Sequence, residues 1–118
     1  MRKTNLLLAA AIAAAPYAAE AKGGAACSVR GSWTFPRKAN LPSGAAAALG
    51  FPMAERGANW NATDVVGPGP MLPFARFISA RQTNCTLVIH YEHGGIAHSF
   101  QDAVLQYQGR RWVLLRGR

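Results

Sequence analysis

The stretch TLVIHYEHGGIAHSF, Thr86 to Phe100, gathers every histidine of the chain around the pair Gly94-Gly95, and its reading decides the fold. Leu87, Ile89 and Tyr91 alternate with Val88, His90 and Glu92, which is the period of a half-buried strand. The spacing predicts a strand over 85–93. Gly94-Gly95 suits a two-residue type I′ hairpin turn, because both central positions of that turn need positive φ. Such a turn sets His93 opposite Ile96, Glu92 opposite Ala97, Tyr91 opposite His98, His90 opposite Ser99 and Ile89 opposite Phe100. Leu87, Ile89, Tyr91, Ile96 and Phe100 then share one face with His93 and His98. Val88, His90, Glu92, Ser99 and Gln101 take the other.

Two chemical clusters follow from that register. His93 and His98 meet only diagonally, and zinc commonly needs three or four ligands from one concavity. No metal is expected there, and His98 beside Tyr91 reads as a hydrogen-bonding histidine. His90, Glu92 and Ser99 are the residue types of a base, an orienting carboxylate and a nucleophile. Against catalysis, His90 and Glu92 lie ~7 Å apart along one strand, and an outward sheet face excludes no water. The expectation for them is a solvated polar face.

Further strands flank this one. FARFISAR predicts a strand over 74–81 followed by a turn at Gln82-Thr83-Asn84, and a long strand over 96–107 follows the glycine pair. A turn at Gln108-Gly109 then leads to RWVLL, which pairs Leu105 with Trp112 and Ala103 with Leu114. On the 96–107 strand the apolar positions are even at Ile96 and Phe100 but odd at Ala103, Leu105 and Tyr107. That change of phase predicts a β-bulge near Gln101-Asp102. Upstream, CSVRGSWTF alternates from Cys27 to Phe35 and Pro36 ends it.

Residues 36–73 lose this periodicity and read as a helix and loop insertion between strands. Ser43 is placed to cap the short helix GAAAALG and Gly50 to stop it, and PMAERG adds another turn. ANWNATDVVGPGPMLP is loop by composition. Within it Trp60, Asn61 and Asp64 offer an aromatic plate with polar groups beside it, a usual way to hold a sugar or a polar chain end. The competing role for Trp60 is a lid over the core, which a loop this long in a small domain favours. The sum is a mainly β fold, with α+β as the alternative: an antiparallel meander of four to five strands with one short helix and a long central loop.

The ends and totals supply an address and a charge sign. Arg2-Lys3, the apolar run Leu6 to Ala15, Pro16 and the small residues Ala19 and Ala21 follow the order of a signal peptide over 1–21, leaving one domain over 22–118 that begins at Lys22. The apolar run is roughly ten residues where a spanning helix needs ~18 to 20, so no transmembrane anchor is expected. Lipidation at Cys27 is disfavoured, because GAAC lacks the apolar residue that usually opens such a site. Cys27 and Cys85 are the only cysteines, and in an oxidising compartment an even count reads as a disulfide.

The 118 residues hold 13 Lys and Arg against 5 Asp and Glu, a formal charge of +8. Loss of the leader leaves about +7. Arg110, Arg111, Arg116 and Arg118 form the densest group and should attract anions in a salt-dependent way. No motif asks for a cofactor, and the patterns of nucleic-acid readers are missing. These features point to a periplasmic or secreted, non-catalytic binding module for an anionic envelope component or another exported protein. The alternatives are a small periplasmic hydrolase using His90 with Glu92 or Asp64, and a structural envelope protein.

Overall fold

The computed structural model describes residues 27–63, 65 and 67–117. The expected signal peptide over 1–21, the chain start at Lys22, Asp64 and Arg118 lie outside the described residues. Five strands form one antiparallel sheet in sequence order: β1 (Ser32–Phe35), β2 (Ala75–Thr83), β3 (Thr86–His93), β4 (Ser99–Gln108) and β5 (Arg111–Arg116). A 3-10 turn (Lys38–Asn40) and one short helix, α1 (Ala45–Ala48), lie between β1 and β2.

The alternation read in β3 holds. Leu87, Ile89 and Tyr91 are fully buried, joined on the inner face by Phe77 and Ala80 of β2, Ala103 and Leu105 of β4 and Trp112 of β5. The insertion supplies the second layer by laying Ala45, Leu49 and Met53 over that face, with the Phe51 ring 5.5 Å from Tyr91. The other face carries Thr34, Arg81, Val88, Val104 and Arg116 as one row across all five strands. An antiparallel sheet tolerates one face in water provided the other is covered, and this sheet is built that way.

The β3–β4 connection departs from the expected hairpin. His93 pairs with Ser99, Tyr91 with Gln101, His90 with Asp102 and Ile89 with Ala103, so residues 94–98 form a five-residue connection. The register moves by three residues and the parity of β4 reverses. Gly94 is the reason. The Gly94 N–H donates to Phe74 O at 2.7 Å, and a Cβ on Gly94 would stand 2.4 Å from Asn61 O and 2.6 Å from the Ala62 carbonyl carbon. Gly94 is thus a site of close backbone approach, while Gly95 alone of the pair has positive φ, at 123°. A type I′ turn requires both.

Several expectations change with that register. Odd positions of β4 now face inward alongside odd positions of β3, so no bulge is needed at Gln101-Asp102 and none occurs there. Ile96 is 94% exposed and Phe100 71% exposed, not core. Bulges occur instead at Ile78 in β2, between the Phe77 and Ser79 pairings, and at Leu115 in β5, between the Leu114 and Arg116 pairings. The last hairpin turns at Gly109-Arg110, one residue beyond the expected turn, so the pairing moves by two residues: Tyr107 meets Trp112, and Leu105 meets Leu114 in place of Trp112. The β2–β3 turn is Asn84-Cys85, with Asn84 at φ 54°, a conformation asparagine tolerates better than most residues.

The N-terminal strand is shorter than its alternation implies. Gly31, at φ 138°, bends the chain, and β1 begins only at Ser32. The segment before it is held across the β2–β3 turn: Asn84 N donates to Gly31 O at 2.8 Å, and Gly31 N donates to Asn84 Oδ1 at 3.0 Å. The Cys27–Cys85 disulfide fixes the same junction, with Cα atoms 6.2 Å apart. Its sulfur is therefore not free for a lipid. Helix α1 also differs from expectation, since its N-cap is Gly44 without a side-chain cap, in place of Ser43. Residues of PMAERG make no helical turn; Ala54 bridges to Arg76 and extends the edge of β2.

Candidate functional site

The side chains with chemistry collect on the uncovered face of the sheet, and cross-strand pairing sorts them into rows. In the first row Arg76 of β2 lies beside Glu92 of β3. Arg76 donates to Glu92 Oε2 from Nε at 3.0 Å and from an Nη at 2.9 Å, and its guanidinium lies 4.8 Å from the Trp60 ring centre. The second carboxylate oxygen of Glu92 pairs with His98 Nε2 at 3.1 Å. His98 in turn packs between Trp60 and Phe100, with centroids 5.8 and 5.1 Å away. This closes a self-satisfied cluster at one end of the sheet.

The neighbouring row is Ser79, His90 and Asp102, one residue from each of β2, β3 and β4. His90 Nδ1 is bonded to Asp102 Oδ1. An ionised carboxylate only accepts, so Nδ1 carries the shared proton and Nε2 is the nitrogen left for another partner. The third row holds Arg81, Val88, Val104 and Arg116, with Arg111 set beyond it opposite Gln108. Three strand spacings separate Arg81 from Arg116, ~14 Å at the backbone, with aliphatic side chains between.

The sequence candidates are distributed as follows. His90 and Glu92 share the outer face but bond different partners, Asp102 and Arg76 with His98 respectively. Ser99 falls on the inner side opposite His93 and accepts a bond from Gln101 Nε2 at 3.0 Å. His93 lines a cavity with Phe51 and Phe74, whereas His98 reaches the outer-face carboxylate of Glu92, so the two do not share a face as the expected register implied. Among the described residues no group of three His, Cys, Asp or Glu side chains comes together to hold a metal ion.

Trp60 covers Arg76 and His98 instead of the core. Asn61 shapes its own loop, accepting from Thr63 N at 3.0 Å and donating to Val65 O at 2.8 Å. Arg110 sits in the last turn, while Arg111 and Arg116 stand on the outer face. Asp102, Ser79, Arg56 and Arg81 did not enter the sequence-level site. A register three residues further along β4 would have brought Asp102 to His90.

Electrostatics set this face apart. Glu55, Glu92 and Asp102 are the carboxylates among the described residues, and all are engaged. Glu55 is tied to backbone, accepting from Lys38 N at 2.6 Å, Ala39 N at 2.9 Å and Arg56 N at 2.9 Å. Burial works to raise its pKa, yet those N–H donors and the charge of Arg37 outweigh burial and hold it below the ordinary carboxylate value. Arg76 is the one arginine in an ion pair with a carboxylate among the described residues, so Arg30, Arg37, Arg56, Arg81, Arg110, Arg111 and Arg116 carry charge that no carboxylate neutralises at contact distance.

Comparison with family models, curated proteins and solved structures finds no match to the chain. Among the described residues no helix is long and apolar enough to cross a membrane.

Proposed function

We propose that the protein is an exported, non-catalytic binding module whose open sheet face holds an anionic envelope polymer. The observation that carries this reading is the pairing of every described carboxylate while Arg81, Arg111 and Arg116 stand on one uncovered face without a carboxylate partner. A face of that kind attracts polyanions over a distance set by the salt concentration, and the Val88–Val104 strip between its arginines gives apolar contact once a chain arrives. Periplasmic or secreted placement rests on the leader-like N-terminus and on a disulfide that an oxidising compartment would maintain.

The test is retention on heparin resin across a salt series. The wild-type protein is expected to elute late and steeply with salt, and Arg111→Gln/Arg116→Gln to elute distinctly earlier with an unchanged fold. Salt-independent retention, or no change in the double variant, would remove the proposal.

A hydrolase is the second reading, because Ser79, His90 and Asp102 lie in one row. Against it, the imidazole is 49% exposed and Ser79 makes no hydrogen bond to it. Turnover of an ester substrate that disappears in both Ser79→Ala and His90→Ala would favour the hydrolase over the binding module.

A further inference from the structure

The edge of β2 is covered in two separate pieces. Strand β1 pairs with it from Ala80 to Thr83, and the Ala54 bridge meets it at Arg76, with Ala54 N donating to Ala75 O and Phe77 N donating to Ala54 O. Between them, at Ile78 and Ser79, β2 has no strand partner on that side among the described residues. The β2 bulge falls at the same place. Bulges recur beside functional sites because they re-aim side chains and interrupt pairing. A cavity of about 430 Å³ opens at this gap, walled by Thr34 and Pro36 from the end of β1, by Arg56 just past the bridge, by Ser79 and Arg81 of β2 and by His90 of β3.

The polar lining is dominated by donors. Arg56 and Arg81, neither of them paired with a carboxylate, line the cavity together with Thr34, Ser79 and His90, beside the apolar Phe35, Pro36 and Ala80. Each nearby acid has another partner: Asp102 is bonded to His90 Nδ1, Glu92 to Arg76 and His98, and Glu55 to backbone N–H groups including that of Arg56. Arginine forks and hydroxyls lining one cavity are the chemistry that recognises a tetrahedral oxyanion, since each guanidinium presents two parallel N–H groups to two oxygens.

Resting on the anion-binding reading above, we propose that the gap between β1 and the Ala54 bridge is a discrete pocket for a phosphomonoester group, held by Arg56, Arg81, Ser79 and Thr34. The polymer lies along the Arg81–Arg116 face, and its phosphorylated branch or terminus enters at Arg81, which belongs to both sites. Delivered this way, a general electrostatic surface acquires a group-specific anchor.

The experiment is an amide-resolved NMR titration of the full chain with inorganic phosphate, with glucose 6-phosphate and with glucose. The two phosphates are expected to shift Ser79, Ala80, Arg81 and Arg56 saturably, and glucose to shift none. Stronger binding of glucose 6-phosphate than of inorganic phosphate assigns the ligand to a sugar-borne ester; equal binding assigns it to the free anion. Arg56→Gln is expected to weaken binding about tenfold or more, the cost of losing a charged donor. Ser79→Ala, which leaves both arginines in place, should weaken it less.

Arg111→Gln/Arg116→Gln should leave phosphate binding intact while reducing heparin retention. Non-saturating shifts, or equal weakening by Arg30→Gln, would overturn the pocket even if heparin retention stood. Unchanged heparin retention in Arg111→Gln/Arg116→Gln together with saturable phosphate binding would overturn the polymer-binding face and leave the pocket standing.

Discussion

Replacing Gly94 by alanine probes the contact that sets the β3–β4 register. The new Cβ would lie 2.4 Å from Asn61 O, 2.6 Å from the Ala62 carbonyl carbon and 2.8 Å from Ala62 Cα. All three are backbone atoms, so no side-chain rotation relieves the overlap, and the 61–62 segment must retreat by about 1 Å to restore ordinary contact distances. Overpacking of this kind typically costs ~1–3 kcal/mol, and retreat also strains the Gly95 N to Ala62 O bond, already 3.4 Å long. A loss of about 2–3 kcal/mol is expected for Gly94→Ala.

Gly95→Ala meets nothing within 4 Å and suffers only the strain of an L-residue at φ 123°, ~1–2 kcal/mol. Urea denaturation with a common m-value reads the difference as a shift in midpoint. A two-residue type I′ turn would make the two substitutions cost alike, because both positions would need positive φ. Equal losses, or a larger loss at Gly95, would refute the close-approach account of Gly94.

Three further outcomes are expected. Cys27→Ser/Cys85→Ser opens a loop with a sequence separation of 58, which on the chain-entropy model costs about 4 kcal/mol; thermal unfolding unchanged by the double variant would contradict that contribution. Glu55, with a folded pKa below its unfolded one, stabilises the protein above the unfolded carboxylate value and loses that contribution as pH falls through the folded one, so the Glu55→Gln variant should show a shallower decline in stability on acidification below about pH 4.5. Ile96→Ser should change stability by no more than ~0.5 kcal/mol while Leu105→Ala costs about 2–5 kcal/mol, and a large effect at Ile96 would restore the two-residue turn.

The parts of the fold visible in the sequence are those that period-2 alternation controls locally. Leu87, Ile89 and Tyr91 lie inward because a half-buried strand leaves them no other side, and the strand order follows from short connections among β2 to β5. The Gly94-Gly95 pair misled because the requirement at Gly94 is a tertiary one: the neighbour it must admit is Asn61–Ala62, more than thirty residues away. The signal was present in another form. Ile96 and Phe100 have the wrong parity for Ala103 and Leu105, and a shift of register accounts for that mismatch without a bulge near Gln101-Asp102.

The same shift hid the His90–Asp102 pair, since Asp102 moves opposite His90 only once five residues are spent in the connection. Cys27 and Cys85 were legible from compartment and count. The gap in the β2 edge was not, because it depends on where the unpatterned insertion returns to meet the sheet, at Ala54.

The central claim is that unneutralised arginines on the open face, more than total charge, bind a polyanion. The direct measurement compares Arg81→Gln/Arg116→Gln with Arg30→Gln/Arg37→Gln, two variants of equal net charge, by heparin affinity across a salt series. The face variant is expected to lose roughly tenfold or more in affinity at low salt and to show a shallower salt dependence, with the Arg30→Gln/Arg37→Gln variant, whose residues lie outside the five strands, near wild type. Equal losses in the two variants would show that net charge alone drives retention, and the outer face would hold no binding site.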